Sequence, residues 1–488
     1  MPSILSQPLE IHHLICEFLI SDYLPSIYDL ALVSRHFCSV TNRYRFHHLK
    51  FELRGRKKLA SDVRKWTEVL QRASAFPSVC RLTIWSGMRS SERDLIDDDV
   101  EIPSYRLHFD FEEGETEDDL TCVNEYYRSY MYTDDKVDKE NDPEPWGPFP
   151  TFLRKLSGLK DLIWACKTLL APCLLQVLSE KVLSCCRLHN VVFKLPSLHY
   201  DNYRGPRRDV DQYEFSLATL PNLTRVLVPA SRVYGMNGVE FNEEAILELL
   251  KQAPTIKHVH FLNLLPHFGS REPGMELQLG NRNWHGFFVD KRRRDKEYRK
   301  LQISPSHIPT QLRTLSITPA GDINDFRTWR TCVSFSELKT LQLWVVSTEV
   351  LQLATECQFP SLETLVLDPY YYWDVDADED ENLQAQDDGD KAASEFVRSL
   401  ASLRSIHLST GIMTSYAASR TISAILETHG NSLQKLSLVG LGIVELGAYS
   451  MSPDAIQQKV LGALTCRSST YLSAGTLESS IIPTYTKP

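Results

Sequence analysis

"LKTLQLWVVSTEVLQLATECQFPSLETLVL", residues 338–367, decides how this chain folds. It holds one short figure twice: an apolar residue, two arbitrary ones, an apolar residue, one arbitrary, an apolar residue. The copies are Leu338/Leu341/Leu343 and Leu362/Leu365/Leu367. The last two apolar positions of each copy are two residues apart, so on a strand they share a face. The first packs under the turn that leads into the strand. Between the copies, "TEVLQLATEC" (348–357) predicts a helix. Neither element can bury its apolar face alone, and stacking against neighbours solves that problem.

Outward from this pair the figure recurs. Toward the amino end it gives Val79/Leu82/Ile84, Leu159/Leu162/Trp164, Leu188/Val191/Phe193, Leu223/Val226/Val228, Ile256/Val259/Phe261 and Leu312/Leu315/Ile317. Toward the carboxyl end it gives Leu403/Ile406/Leu408 and Leu433/Leu436/Leu438, while Phe46/Leu49/Phe51 is a candidate first copy. Many starts lie about 24 to 35 residues apart, the period of leucine-rich repeats or slightly longer. Helix-like stretches lie at 60–73, 241–253, 394–403 and 419–430. The expectation is an α/β chain with parallel strands and outer helices, an irregular leucine-rich-repeat solenoid over 49–440. No asparagine stands after the strands, so the side-chain ladder of regular repeats must be replaced by something less uniform. An ordinary α/β domain with parallel strands is the competing reading.

Insertions break the array. Residues 92–142 carry "EEGETEDDL" and "EYYRSYMY", and 374–390, "DVDADEDENLQAQDDGD", contain no basic residue. Such acidic runs predict loops. Residues 266–300, with "KRRRDK" at 291–296, read as a further loop carrying a nuclear-import signal or a site for an acidic partner. The segment 441–488 is Ser/Thr-rich and weakly patterned.

Bulk properties narrow the function classes. The chain has 488 residues, 42% hydrophobic and 24% charged, as in globular proteins with ample core material. A net charge of -10 argues against a general nucleic-acid binder, and no apolar run approaches the roughly 20 residues that span a bilayer. The eleven cysteines are scattered without a ladder of spacings, which fits buried thiols in a reducing compartment, cytoplasm or nucleus. No phosphate loop, zinc helix, nucleophile elbow or paired CxxC occurs. Neighbouring pairs such as His12-His13 point in different directions and make poor chelates. Neither an enzyme, a cofactor nor a metal is expected, so function must lie in surfaces.

The first such surface is N-terminal. Residues 8–20, "PLEIHHLICEFLI", place Ile11, Leu14, Ile15, Phe18 and Leu19 on one helical stripe, with Pro8 and Glu10 suited to a first turn. "DLALVSRHF" (29–37) follows, with Ser34 as the N-cap of a further helix. Pro8-Leu9-Glu10-Ile11, then Ile15 and Leu19, then Leu32-Val33-Ser34-Arg35 and Phe37 resemble the F-box, over residues 4–48; Gln7 departs from the leucine usual before the proline. An F-box followed by leucine-rich-like repeats is similar to the F-box proteins of filamentous fungi. The resemblance implies a three-helix segment that binds a Skp-type adaptor, linked to a cullin scaffold, through Pro8, Leu9, Glu10, Ile11, Ile15, Leu19, Leu32, Val33 and Phe37. It further implies a substrate-recognition subunit of a ubiquitin ligase, with a target protein held on the repeats. The alternative is a repeat scaffold with no ligase connection, whose first helices only cap the array.

The second surface is the strand face opposite the leucines. By the alternation it carries Trp85, His260, Gln342, Trp344, Asp368 and His407, the expected target-binding set.

Overall fold

A computed structural model describes residues 4–23, 25–53, 56–85, 146–166, 169–180, 185–191, 193–198, 200–201, 209–230, 238–239, 242–252, 255–263, 284, 286–300, 310–317, 323–369, 379–409 and 419–439. The expected insertion at 92–142 and the segment 441–488 lie outside these residues. Two compact units divide the chain, Met1–Leu249 with Leu264–Ile303, and Leu250–Asn263 with Ser304–Pro488. Among the described residues no helix is long and apolar enough to cross a membrane.

The first unit opens with three helices, α1 (Leu9–Tyr23), α2 (Ser26–Val33) and α3 (Arg35–Arg45). Strand β1 (His48–Glu52), helix α4 (Arg56–Ala73) and β2 (Arg81–Trp85) follow, then α5 (Phe149–Lys155), β3 (Asp161–Ala165), α6 (Pro172–Leu178) and β4 (Arg187–Asn190). Helix α7 (Gln212–Ala218) leads to β5 (Leu223–Ala230), and α8 (Asn242–Gln252) carries the boundary between the units. Strands β1 to β5 pair in chain order, all parallel. Helix α9 (Lys291–Lys300) returns to this unit.

The second unit carries β6 (His258–Asn263), β7 (Thr314–Ile317), α10 (Ile323–Cys332), β8 (Thr340–Val346), α11 (Thr348–Thr355) and β9 (Thr364–Pro369). Helix α12 (Glu379–Ser399), β10 (Ser405–Ser409), α13 (Ser419–His429) and β11 (Lys435–Val439) complete it. Its strands also pair in chain order and in parallel. The expected α/β architecture is therefore present, with five of these parallel strands described in the first unit and six in the second.

The repeated figure explains the packing. Leu341, Leu343, Leu365, Leu367, Ile406 and Leu408 are buried, as are the leading residues Leu338, Leu362 and Leu403. In register, Leu341 pairs with Leu365 and Leu365 with Ile406, so each apolar position stacks on its own kind. One copy is out of frame. Leu188 pairs with Leu162 rather than leading into the strand, and a register shift after it re-aligns Asn190 with Val226.

Two features recur at the turns that lead into the strands. In five copies an apolar residue three places before closes a tight turn: the Val79, Leu159, Leu223, Leu338 and Leu362 N–H groups donate to the carbonyls of Phe76, Leu156, Leu220, Phe335 and Phe359. In the second unit the turn residues Phe335 and Phe359 join Phe326 of α10 and Phe396 of α12 in an aromatic run, Phe326, Phe335, Phe359 and Phe396, at successive centroid distances of 6.0, 5.1 and 6.2 Å. At the strand starts a backbone ladder recurs. The Lys339 and Thr340 N–H groups both donate to the Arg313 carbonyl, Glu363 and Thr364 to that of Lys339, and Arg404 and Ser405 to that of Glu363. These bonds satisfy backbone polar groups that stacking would otherwise strand.

Two insertions differ from expectation. Residues 379–390 of the acidic run form the first half of α12, not a loop. Asp390 is buried and accepts the Arg420 and Thr421 N–H groups at 3.0 and 3.1 Å, which caps α13 from a neighbouring helix. Burial raises the Asp390 pKa, although these donors pull the other way. The basic run 291–296 likewise lies in helix α9. Asp290 caps it through the Arg292 N–H at 2.8 Å, and the preceding Phe287 and Phe288 are buried against Phe215. A contact distant in sequence turned both runs into helix.

His429 closes α13. Its Nδ1 accepts the Leu403 N–H at 3.3 Å and its Nε2–H donates to the Val397 carbonyl at 3.0 Å, so these partners assign a neutral tautomer. Burial lowers its pKa, against the pull of the Val397 bond. The unfolded chain therefore takes up this proton more readily than the folded one. The stability it contributes is whole above about pH 6.5 and is lost as the pH falls below that. The thermal midpoint is expected to drop on acidification from about pH 7 to 5, and His429→Gln to flatten part of that drop. A variant with the wild-type pH profile would place the acid sensitivity elsewhere.

Candidate functional site

Helices α1, α2 and α3 form a small core of their own. Cys16, Ile27 and Val40 are buried together, with Leu19, Ile20, Leu30 and Tyr44 packed against them. Helix α3 begins where expected, with the Ser34 Oγ accepting the Phe37 N–H at 3.2 Å. Its far end is tied to the end of α4 by the Asn42 side chain, which donates to the Ala73 carbonyl at 3.1 Å.

The inward face of α1 takes only part of its apolar residues. His12 and Cys16 are buried, whereas Ile11, Leu14 and Phe18, spaced i, i+3 and i+7, are exposed. At 100° per residue this exposed stripe lies opposite the buried pair. Phe18 is 70% exposed, and at the end of α2 Leu32 is 85% exposed with Val33 beside it also exposed. Ile4, Leu5 and Leu9 add further exposed apolar groups. Exposed apolar side chains in this number are the material from which interaction surfaces are built.

Polar contacts hold the frame. His12 Nε2 lies 2.8 Å from the Ile4 carbonyl, and His36 Nε2 lies 2.9 Å from His12 Nδ1. This joins the first turns of α1 and α3 and sets Leu9 and Ile11 at the same end of the unit as Leu32 and Val33. The Tyr44 hydroxyl lies 3.0 Å from His13 Nδ1 and 3.3 Å from Glu17 Oε1. Burial, then the Glu17 charge, pushes its pKa up to about 12, so it stays a neutral donor.

Of the nine residues expected to meet an adaptor, Pro8, Leu9, Glu10, Ile11, Leu32 and Val33 are exposed. Ile15 and Leu19 are half-buried on the flank of α1. Phe37 is the correction: at 1% exposure, with its ring 5.2 Å from His12, it belongs to the internal packing. Leu14 and Phe18 were missed as site residues although they already lay on the apolar stripe. Ile4 and Leu5 had no periodic signal.

The second expected set is also corrected. Register places His260 beside Ser316, Ser316 beside Gln342, Gln342 beside Val366 and Val366 beside His407, so three of the six residues share one row of the second unit. That row is not open. Gln342 is 0% exposed, and His260, His407 and Asp368 are buried as well. Trp85, in the first unit, is half-buried, and the Trp344 side chain lies outside the description. Strand alternation determines the side of the sheet, but not what covers it.

A polar group is buried in the first unit too. Asp161 accepts from Arg187 Nε at 2.7 Å and lies 2.8 Å from His189 Nε2. Those partners hold the Asp161 carboxyl well below the usual range despite its burial, and burial lowers the His189 pKa to about 4. A neutral imidazole donating to an ionised, arginine-paired carboxylate satisfies the buried charge. Among the described residues no group of three or more His, Cys, Asp or Glu side chains is placed to hold a metal. No family model, curated protein or solved structure matches this chain.

Proposed function

We propose that this chain is the substrate-recognition subunit of a Skp–cullin–F-box ubiquitin ligase. Its N-terminal helices attach to the adaptor, and an irregular leucine-rich-repeat solenoid holds the target. The reading rests on the resemblance of residues 4–48 to the F-box. One observation carries it furthest: an apolar stripe of α1, Ile11, Leu14 and Phe18, faces solvent, as does the end of α2, while Cys16, Leu19 and Ile20 serve the internal core. A helix that only capped the repeats would turn Ile11, Leu14 and Phe18 toward them. Covering each large side chain contributes roughly 1.5 to 3 kcal/mol before the entropic cost of association. Several together support the micromolar-or-tighter contact, about -8 kcal/mol, that a stable complex needs. Catalysis would come from holding target and ubiquitin donor at high effective concentration, not from a nucleophile of this chain.

The buried row of His260, Gln342 and His407 moves target recognition to other surfaces of the repeats. The reading is tested by mixing the purified full chain with a purified Skp-type adaptor and following the complex by gel filtration and calorimetry. A one-to-one complex is expected. Its absence at tens of micromolar would leave the repeat-scaffold reading in its place.

A further inference from the structure

Among the described residues helix α9 is the most cationic element of an acidic chain, with seven basic residues among Lys291–Lys300. Ten residues of this composition would not hold a helix alone, since like charges three and four apart repel. Tertiary contacts on one side hold it. Asp209 accepts the Val289 N–H at 2.7 Å and pairs with Arg293 at 2.6 Å, while Glu297 is buried and paired with Lys300 at 2.7 Å. The Tyr298 hydroxyl donates to Glu248, which also accepts from Trp284 Nε1 at 2.8 Å.

The opposite side is left to solvent. Arg292, Lys296 and Arg299 are exposed at i, i+4 and i+7, one stripe about 10 Å long. Among the described residues they form no ion pair, and the acids beside them are Asp290, which caps the helix through the Arg292 N–H, and Asp295. Val289, exposed and apolar, lies just before the helix start. We infer that this face is a docking site for an acidic segment of a partner protein, its carboxylates on Arg292, Lys296 and Arg299 and an apolar residue against Val289.

Charge complementarity selects that occupant. A nucleic acid is disfavoured by the net charge of -10 and, among the described residues, by the lack of a free aromatic ring beside this helix. Phe287 and Phe288 are buried and Tyr298 is tied to Glu248. The same anchoring makes the basic run a rigid helical surface instead of an extended peptide. The site is independent of the N-terminal helices, so its test stands whether or not an adaptor binds.

The full chain is titrated against a fluorescein-labelled peptide of glutamates with two leucines, and against a single-stranded oligonucleotide of equal charge. The peptide is expected to bind, to weaken as salt is raised, and to lose about tenfold in affinity in Arg292→Gln/Lys296→Gln/Arg299→Gln, the sum of three modest surface pairs. The corresponding Glu variant should abolish binding, with unchanged circular dichroism because all three side chains are exposed. Val289→Asp should weaken the leucine-containing peptide but not a pure polyglutamate. Equal peptide binding by the Gln variant overturns the proposal. So does tighter binding of the oligonucleotide, or a concentration-dependent dimer that the variant dissolves, which would assign the face to a second copy.

Discussion

Phe18→Asp/Leu32→Asp is expected to abolish adaptor binding, by at least about a hundredfold, while the chain still folds. The two side chains are 70% and 85% exposed, so their loss removes almost nothing from the interior. Surface substitutions of this kind usually change stability by no more than about 0.5 kcal/mol. In a complex, each would leave a carboxylate against apolar surface, and an unpaired buried charge is expensive. Binding should be read by calorimetry and folding by the thermal midpoint. Phe37→Ala is the counterpart. That ring is enclosed by the chain itself, so its truncation should lower stability by about 3 to 5 kcal/mol. Any effect of it on binding would then follow from unfolding. Undiminished binding by the double aspartate variant would remove this face from the proposed interface. Aspartates at Ile15 and Leu19 would be a poorer test, because Leu19 packs on the Cys16–Ile27–Val40 core.

Gly158→Ala is expected to be among the most destabilising single changes in the first unit. Gly158 stands in the turn between α5 and β3, and a Cβ there would collide with the Pro77 backbone, 2.8 Å from its carbonyl carbon. Pro77 belongs to the turn Phe76–Ser78 that leads into β2, so the turns that lead into β2 and β3 touch backbone to backbone. Neither backbone can yield without disturbing the strand that follows. The loss should be on the order of 3 kcal/mol, seen as a lower denaturant midpoint. Gly147→Ala is the control. Its φ of 56° strains any side chain, but the nearest atom is Ala60 Cβ at 3.8 Å, so only about 1 kcal/mol of backbone cost is expected. Equal effects at the two positions would show that the contact with Pro77 relaxes.

The strands were legible because burial of alternate apolar residues is local information. Leu338, Leu341 and Leu343 announce themselves, and so do their counterparts through Leu433. The closing turns were also present in the sequence, as an apolar residue three places before most copies, but the shorter figure passed over Phe335 and Phe359. The frame of Leu188 was misread because leucines fit the pattern at more than one register. The acidic start of α12 and the basic helix α9 looked like loops, since charge density carries no sign of the tertiary anchors that hold them.

Taken alone, the sequence determined the alternation of strand and helix, the parallel pairing of equivalent leucines and the apolar surplus of the first helix. Each follows from a residue's own hydrophobicity and its spacing from near neighbours. Only the tertiary structure decided which way those faces turned. It put His12 and Cys16 inside and Phe18 outside, enclosed Phe37, buried Gln342 and His260, and drew Asp390 under α13. Those outcomes depend on what stands opposite a side chain in space, and partners 30 or 80 residues away leave no periodic trace.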